Sequence, residues 1–202
     1  MLLASQLPED KSPLSLAFAA TLHVFKISIA EIARISGVPD RKIADFRDGT
    51  MNITMARVAK IIMALTPTQS SFYAAMVILQ DAAKAAEIEI PPIDFRAIDD
   101  VTDIYSQAYK AMSEWCKDSE FRQSRLSAKS KLSEPHISRW RNGKFDMEQG
   151  SIERLIQAMQ PKHRLFYLAL VDIFFVVGCE KAAQRREQLK KDEAKDDKKR
   201  TD

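Results

Sequence analysis

The sequence predicts an all-α protein made of two tandem five-helix units. Glycine is scarce, with 5 in 202 residues, and Ala, Leu, Ile, Met and Lys dominate the middle of the chain. That composition favours helices. Apolar residues also recur at helical spacing along most of the chain. Finally, a constant shift of 94 residues lays one half on the other without a gap. Ser36 falls on Ser130, Ile43 on Ile137, Phe46 on Trp140, Arg47 on Arg141 and Gly49 on Gly143. Ala64 falls on Ala158, Pro67 on Pro161, and Phe72-Tyr73 on Phe166-Tyr167. Shared helical composition explains apolar matches but not Gly, Pro and a Phe-Tyr pair together. Each copy is roughly 75–80 residues, a suitable length for a five-helix unit.

The expected organisation is a first domain at 1–87, a Pro-containing linker at 88–100, a second domain at 101–188 and a charged tail at 189–202. Residues 1–11 read as a loose leader. Ser12-Pro13 starts the first helix, with Ser as cap and Pro in the first turn, and Leu16, Ala20 and Val24 carry it to Phe25. Ile29–Ser36 follows and Gly37-Val38-Pro39 breaks it. Asp40–Arg47 is closed by Asp48-Gly49. Thr54 caps Met55–Leu65, and Thr66-Pro67 opens an Ala-rich helix ending near Ala86. Pro91-Pro92 then forbids a helix and favours an extended connector. The second copy is expected at Val101–Lys117, Arg122–Ser130, Glu134–Arg141, Glu148–Met159 and Lys162–Gln188. Beyond it the chain is mixed-charge with almost no apolar residue, and disorder is expected.

Cys116 and Cys179 lie in apolar helical surroundings, so buried free thiols in a reducing compartment are expected. Met1-Leu-Leu-Ala is too short for a signal peptide and is followed by Glu9-Asp10. The longest apolar run, Leu165–Gly178, is interrupted by Asp172 and falls short of the ~20 residues of a membrane span. A soluble cytoplasmic protein is expected. The net charge is +3, and the tail from Lys181 onward, with nine basic and six acidic residues, accounts for all of it. A nucleic-acid surface must therefore come from local clustering. His23, His136 and His163 share no ligand-like spacing with cysteines or acids, so no zinc site is expected. No Gly-rich phosphate loop, nucleophile elbow or carboxylate pair stands out, so neither an enzyme nor a cofactor is expected.

Local clustering is found in Phe121–Lys144, FRQSRLSAKSKLSEPHISRWRNGK. Two short helical patterns flank a break at Lys131–Ser133. Leu126 anchors the first; Ile137 and Trp140, three apart, anchor the second on one face. Ser133 suits the N-cap, Glu134 the first turn and Pro135 an early helical position. Asn142-Gly143 ends the helix. Two short helices with a tight turn form the helix-turn-helix plan, whose second helix enters the major groove.

This stretch resembles the helix-turn-helix of the phage-repressor class, the Cro/cI or Xre-like family. The resemblance rests on Gln123 at the start of the first helix, small Ser127 at the crossing, Ile137 and Trp140 in the core, and the exit Asn142-Gly143-Lys144. Lys131 departs from it, because Gly is more usual in the turn. The resemblance implies two phage-repressor-like helix-turn-helix domains in tandem. It further implies a bacterial or phage-type transcriptional regulator, a repressor more readily than an activator. Such a protein binds double-stranded DNA, is cytoplasmic and nucleoid-associated, and usually dimerises. Gln123 matches the Gln that bonds the DNA backbone and braces the recognition helix in that class; the first copy has Ile29 there.

The two copies differ in charge. Window 121–144 has seven cations (Arg122, Arg125, Lys129, Lys131, Arg139, Arg141, Lys144) against Glu134, whereas 27–50 balances four against four. Each phosphate contact steepens the salt dependence of binding by almost one unit, so the second copy is expected to be the main reader and the first a weak or altered one. Ser133, Glu134, His136, Ser138 and Arg139 start or face outward from the recognition helix, and His136 and Arg139 are the base-edge candidates. Arg122, Gln123, Asn142 and Lys144 are phosphate-positioning candidates. Arg141, near the core side of the helix end, is a candidate to pair with an acid instead. Arg41, Lys42 and Asp45 hold the equivalent outward positions in the first copy. The unusually apolar fifth helices (Leu165 to Val176; Phe72, Met76, Leu79) could pack the copies on each other, join two chains as a homodimer, or be buried in their own domains. A protein-interaction adaptor and an antitoxin-like partner are the alternative functions.

Overall fold

The computed structural model describes residues 11–50, 53–91, 93 and 104–201. The expected leader and most of the Pro-containing linker lie outside the described residues. Among the described residues the secondary structure is helical throughout: α1 (Pro13–Phe25), α2 (Ile29–Ser36), α3 (Asp40–Asp48), α4 (Met55–Met63), α5 (Pro67–Ala86), α6 (Ile104–Trp115), α7 (Gln123–Ser130), α8 (Glu134–Arg141), α9 (Gln149–Ala158) and α10 (Pro161–Thr201), with a one-turn 3-10 helix at Ser119–Phe121. No single helix among them is long and apolar enough to cross a membrane.

The helix starts follow from side chains that satisfy the first free N–H groups. Ser12, Ser28 and Ser133 accept from the N–H of Ser15, Glu31 and His136. Thr66 and Gln69 form a reciprocal capping box ahead of α5, and each such cap contributes about 1 kcal/mol. Gly37 ends α2 and Gly49 ends α3 at positive φ. Lys131 adopts the same left-handed conformation (φ 60) after α7, so the turn has the shape that the Gly-lacking sequence put in doubt.

The second set of helices repeats the first. Ile29 and Gln123, Asp40 and Glu134, Met55 and Gln149, and Pro67 and Pro161 open corresponding helices, each pair 94 residues apart. Burial repeats with them: Ile32/Leu126, Val38/Leu132, Ile43/Ile137, Phe46/Trp140, Ile61/Leu155 and Leu79/Ile173 are all buried. The first helices depart from that shift. Ser15, Ala17, Phe18 and Thr21 are buried in α1, and Ser106, Ala108, Tyr109 and Met112 in α6, each pair 91 apart. The second set thus holds three extra residues between its first two helices, where the 3-10 turn lies. Stacked Phe18–Phe46 (centroids 5.1 Å) and tilted Tyr109–Trp140 (5.4 Å) are the equivalent aromatic centres.

The most extensive helix–helix contact is between α5 and α10, so the two sets meet through their fifth helices. Leu79, Ala82, Ala83 and Ala86 on α5, and Ile173, Phe174 and Val177 on α10, are buried. Two expectations are corrected here. The last helix does not end at Gln188 but continues to Thr201. Its residues are mostly good helix formers, and i,i+4 contacts such as Lys191–Glu187 (2.8 Å) and Gln184–Glu180 (3.2 Å) support it. Both cysteines are free, but neither is buried: Cys116 is half-buried and Cys179 exposed, because Cys179 lies on the face of α10 turned away from the core.

Candidate nucleic-acid interface

Helices α7 and α8 are held to each other by side-chain bonds that need these residue types. Gln123 Nε2 donates to the carbonyl of Glu134, the first residue of α8, at 2.9 Å. Ser127 Oγ donates to the Leu132 carbonyl at 2.6 Å, closing the turn where only a small hydroxyl fits. At the far end Ser106 Oγ donates to the Trp140 carbonyl at 2.8 Å, and Asn142 Nδ2 to the Ser138 carbonyl at 2.8 Å. Trp140, Ile137 and Leu126 are fully buried beneath. Gln123 thus ties the start of α7 to the start of α8. Ile29, its counterpart, is an apolar residue packed against the core.

On this frame α8 turns its opposite face to solvent. Ser133, Glu134 and Arg139 are exposed, and His136 and Ser138 are half-buried. His136 and Arg139 share one neighbour, Phe145. The imidazole meets its ring edge-on at 4.6 Å, and the Arg139 guanidinium carbon lies 5.8 Å from its centroid. Phe145 thus fixes the two base-edge candidates side by side. It lies one residue past the window 121–144, and its place on this face follows only from the turn after Gly143.

Arg122, Lys131, Asn142 and Lys144 are exposed around the same end of the molecule, and among the described residues none of the three cations has an ion-pair partner. Arg125 and Lys129 differ: both pair with Glu120, Lys129 at 3.3 Å. Glu120 lies one residue ahead of the window, so the local excess is smaller than the window alone implies. Arg141 is half-buried and forms no ion pair among the described residues, contrary to its expected pairing with an acid. It lies near Tyr109, whose hydroxyl is pushed up in pKa by burial against the opposing pull of Arg141.

In the first set Arg41 is exposed and Lys42 half-buried. Asp45, expected to face outward like Arg139, is half-buried, with Oδ2 shielded from solvent and without a hydrogen bond; its own carbonyl takes the Thr50 N–H at 3.0 Å. Arg47 is consumed by Asp48 through two 2.8 Å bonds. The surfaces also differ in polarity. A depression of about 540 Å³ beside α7 and α9 is lined by Lys129, Lys131, Arg154 and Gln157. The residues 94 positions before Lys129, Gln149 and Gln157 are Ile35, Met55 and Met63, all exposed.

Beneath α7, His163 is fully buried against Phe121 (5.6 Å), with Nε2 3.2 Å from Asp118 Oδ2 but not aligned for a hydrogen bond. Burial lowers its pKa more than Asp118 raises it. Lys162, 3.0 Å from the same carboxylate, holds Asp118 below the usual range.

No family model, no curated protein and no solved structure matches the chain.

Proposed function

We propose that the chain is a sequence-specific DNA-binding transcriptional regulator of phage-repressor-like helix-turn-helix architecture, with α8 entering the major groove. The observation that carries this is the Gln123 brace onto the first residue of α8. It ties α8 to α7 beside three exposed cations that have no ion-pair partner among the described residues, Arg122, Lys131 and Lys144. Arg139, set on Phe145, is the base reader, since Arg on guanine O6 and N7 contributes about 1–3 kcal/mol of discrimination. Arg122, Lys131, Asn142 and Lys144 position phosphates. A mobility shift at moderate salt tests the reading. Arg139→Ala should lose preference for target over random DNA, and Arg122→Ala should weaken both. Wild-type-like binding by both variants would refute it.

A second reading has its own observation. Ile35, Met55 and Met63 expose apolar surface on the first copy where the second is basic or polar, which suits a protein-interaction adaptor. Retained DNA binding with a shallow salt dependence, or none, would favour it.

A further inference from the structure

Helix α10 is the longest in the molecule, and only one side of it is used. His163, Phe166, Tyr167, Leu170, Ile173, Phe174 and Val177 are buried. The side turned to solvent carries Leu165, Leu168, Asp172, Phe175, Cys179, Ala182, Arg186 and Leu189, spaced alternately three and four apart. That is the spacing of a coiled-coil seam. Leu165 is 50%, Phe175 53% and Leu189 62% exposed, large values for an apolar row about 36 Å long. Nothing among the described residues covers it.

The two charges in the row specify what does. Asp172 and Arg186 lie seven residues on either side of Cys179. Among the described residues neither has an ion-pair partner, and partial desolvation on the helix surface raises the pKa of the Asp172 carboxyl. A second α10 in parallel register would set Asp172 against Asp172 and Arg186 against Arg186. An antiparallel one, with its two-fold axis at Cys179, sets each Asp172 against the other copy's Arg186. The same axis lays Phe175 over the small Ala182 and Ala183, and Leu168 beside Leu189. Bulky Phe175 meets small residues, acid meets base, and Leu168 lies beside Leu189, as a self-complementary two-fold interface requires.

We propose that this face of α10 is a homodimer interface, the second copy of the chain lying antiparallel across it with Cys179 at the two-fold axis. It is independent of the DNA reading, because none of its residues is among the DNA-contact candidates.

The test is made without DNA, on the full chain under reducing conditions. Sedimentation equilibrium should give a species of twice the chain mass. Asp172→Arg and Arg186→Asp should each weaken it about tenfold or more, and the double swap should restore it. A short bis-maleimide should join two wild-type chains, and Cys179→Ala should abolish the product while Cys116→Ala leaves it. All substituted positions except Cys116 are exposed, so an unchanged helical circular dichroism spectrum certifies each fold. A monomer at tens of micromolar, a dimer indifferent to both charges, a swap that fails to restore it, or a dimer that Cys179 does not cross-link would overturn the proposal.

Discussion

Gln123 and Ile29 occupy the same place in two copies of one pattern, and the difference between them is chemical. The amide reaches the Glu134 carbonyl; the isoleucine packs inward. Gln123→Ala should loosen α8, weakening DNA binding more than it lowers the melting temperature, which parallel binding and thermal scans would separate. Tyr73 and Tyr167 form a second such pair. Tyr167 donates to the Tyr105 carbonyl at 2.9 Å, whereas the Tyr73 hydroxyl has no partner and burial pushes its pKa to about 12. Tyr167→Phe should cost about 1 kcal/mol in urea unfolding, and Tyr73→Phe should be neutral or stabilising. Lys131 holds a left-handed conformation (φ 60) without being glycine. Lys131→Gly should therefore stabilise the fold by about 0.5–1 kcal/mol and, on the proposed reading, weaken DNA binding. At this scale the candidate site was partly legible. The resemblance to the phage-repressor class singles out Gln123 and Ser127, and Ser133 and Trp140 declare their roles by residue type and spacing. Phe145 and Glu120 do not, because their contacts depend on how the chain turns at Gly143 and at the 3-10 helix.

Among the elements, the pair α7–α8 is the one whose surroundings differ most from its counterpart α2–α3. The 3-10 turn that precedes it packs on the first turn of α10, where His163 is buried. Burial holds the folded pKa of His163 below its ordinary 6.5. As pH falls through 6.5 the unfolded chain takes the proton first, so this contribution is intact above about pH 7 and is lost on acidification. Asp118 acts with the same sign at lower pH: its lowered pKa gives stability that is lost only as pH falls through and below the ordinary carboxylate range. Urea midpoints should accordingly fall between pH 7 and pH 5, and His163→Leu should flatten that fall. Helix starts other than that of α6, whose expected first residues 101–103 lie outside the described residues, were legible to within a residue because caps and prolines mark them. The end of α10 was not. A charged sequence without apolar residues reads as disorder when its i,i+4 pairs are left out of account.

For the molecule as a whole, the repeat is the organising fact, and α5 against α10 joins its halves. Ile173→Ala, at a fully buried position, should cost about 2–5 kcal/mol and lower the stability of both halves together if they unfold as one. The 94-residue shift was readable from Gly, Pro and Phe-Tyr matches. The 91-residue register of the first helices was not, because Ser15-Ala17-Phe18 and Ser106-Ala108-Tyr109 match only once three inserted residues are allowed. Charge was readable as a contrast between windows, but its strength was overstated, since Glu120 occupies Arg125 and Lys129.

The central proposal is that the second copy is the main DNA reader and the first a weak or altered one, and the salt dependence of affinity tests it most directly. Log affinity against log salt should fall steeply for the wild type. Arg122→Ala and Lys144→Ala should each make the slope shallower by about 0.9, while Arg41→Ala leaves it unchanged. A flat wild-type slope, or a slope that changes with Arg41 and not with Arg122 or Lys144, would contradict the account.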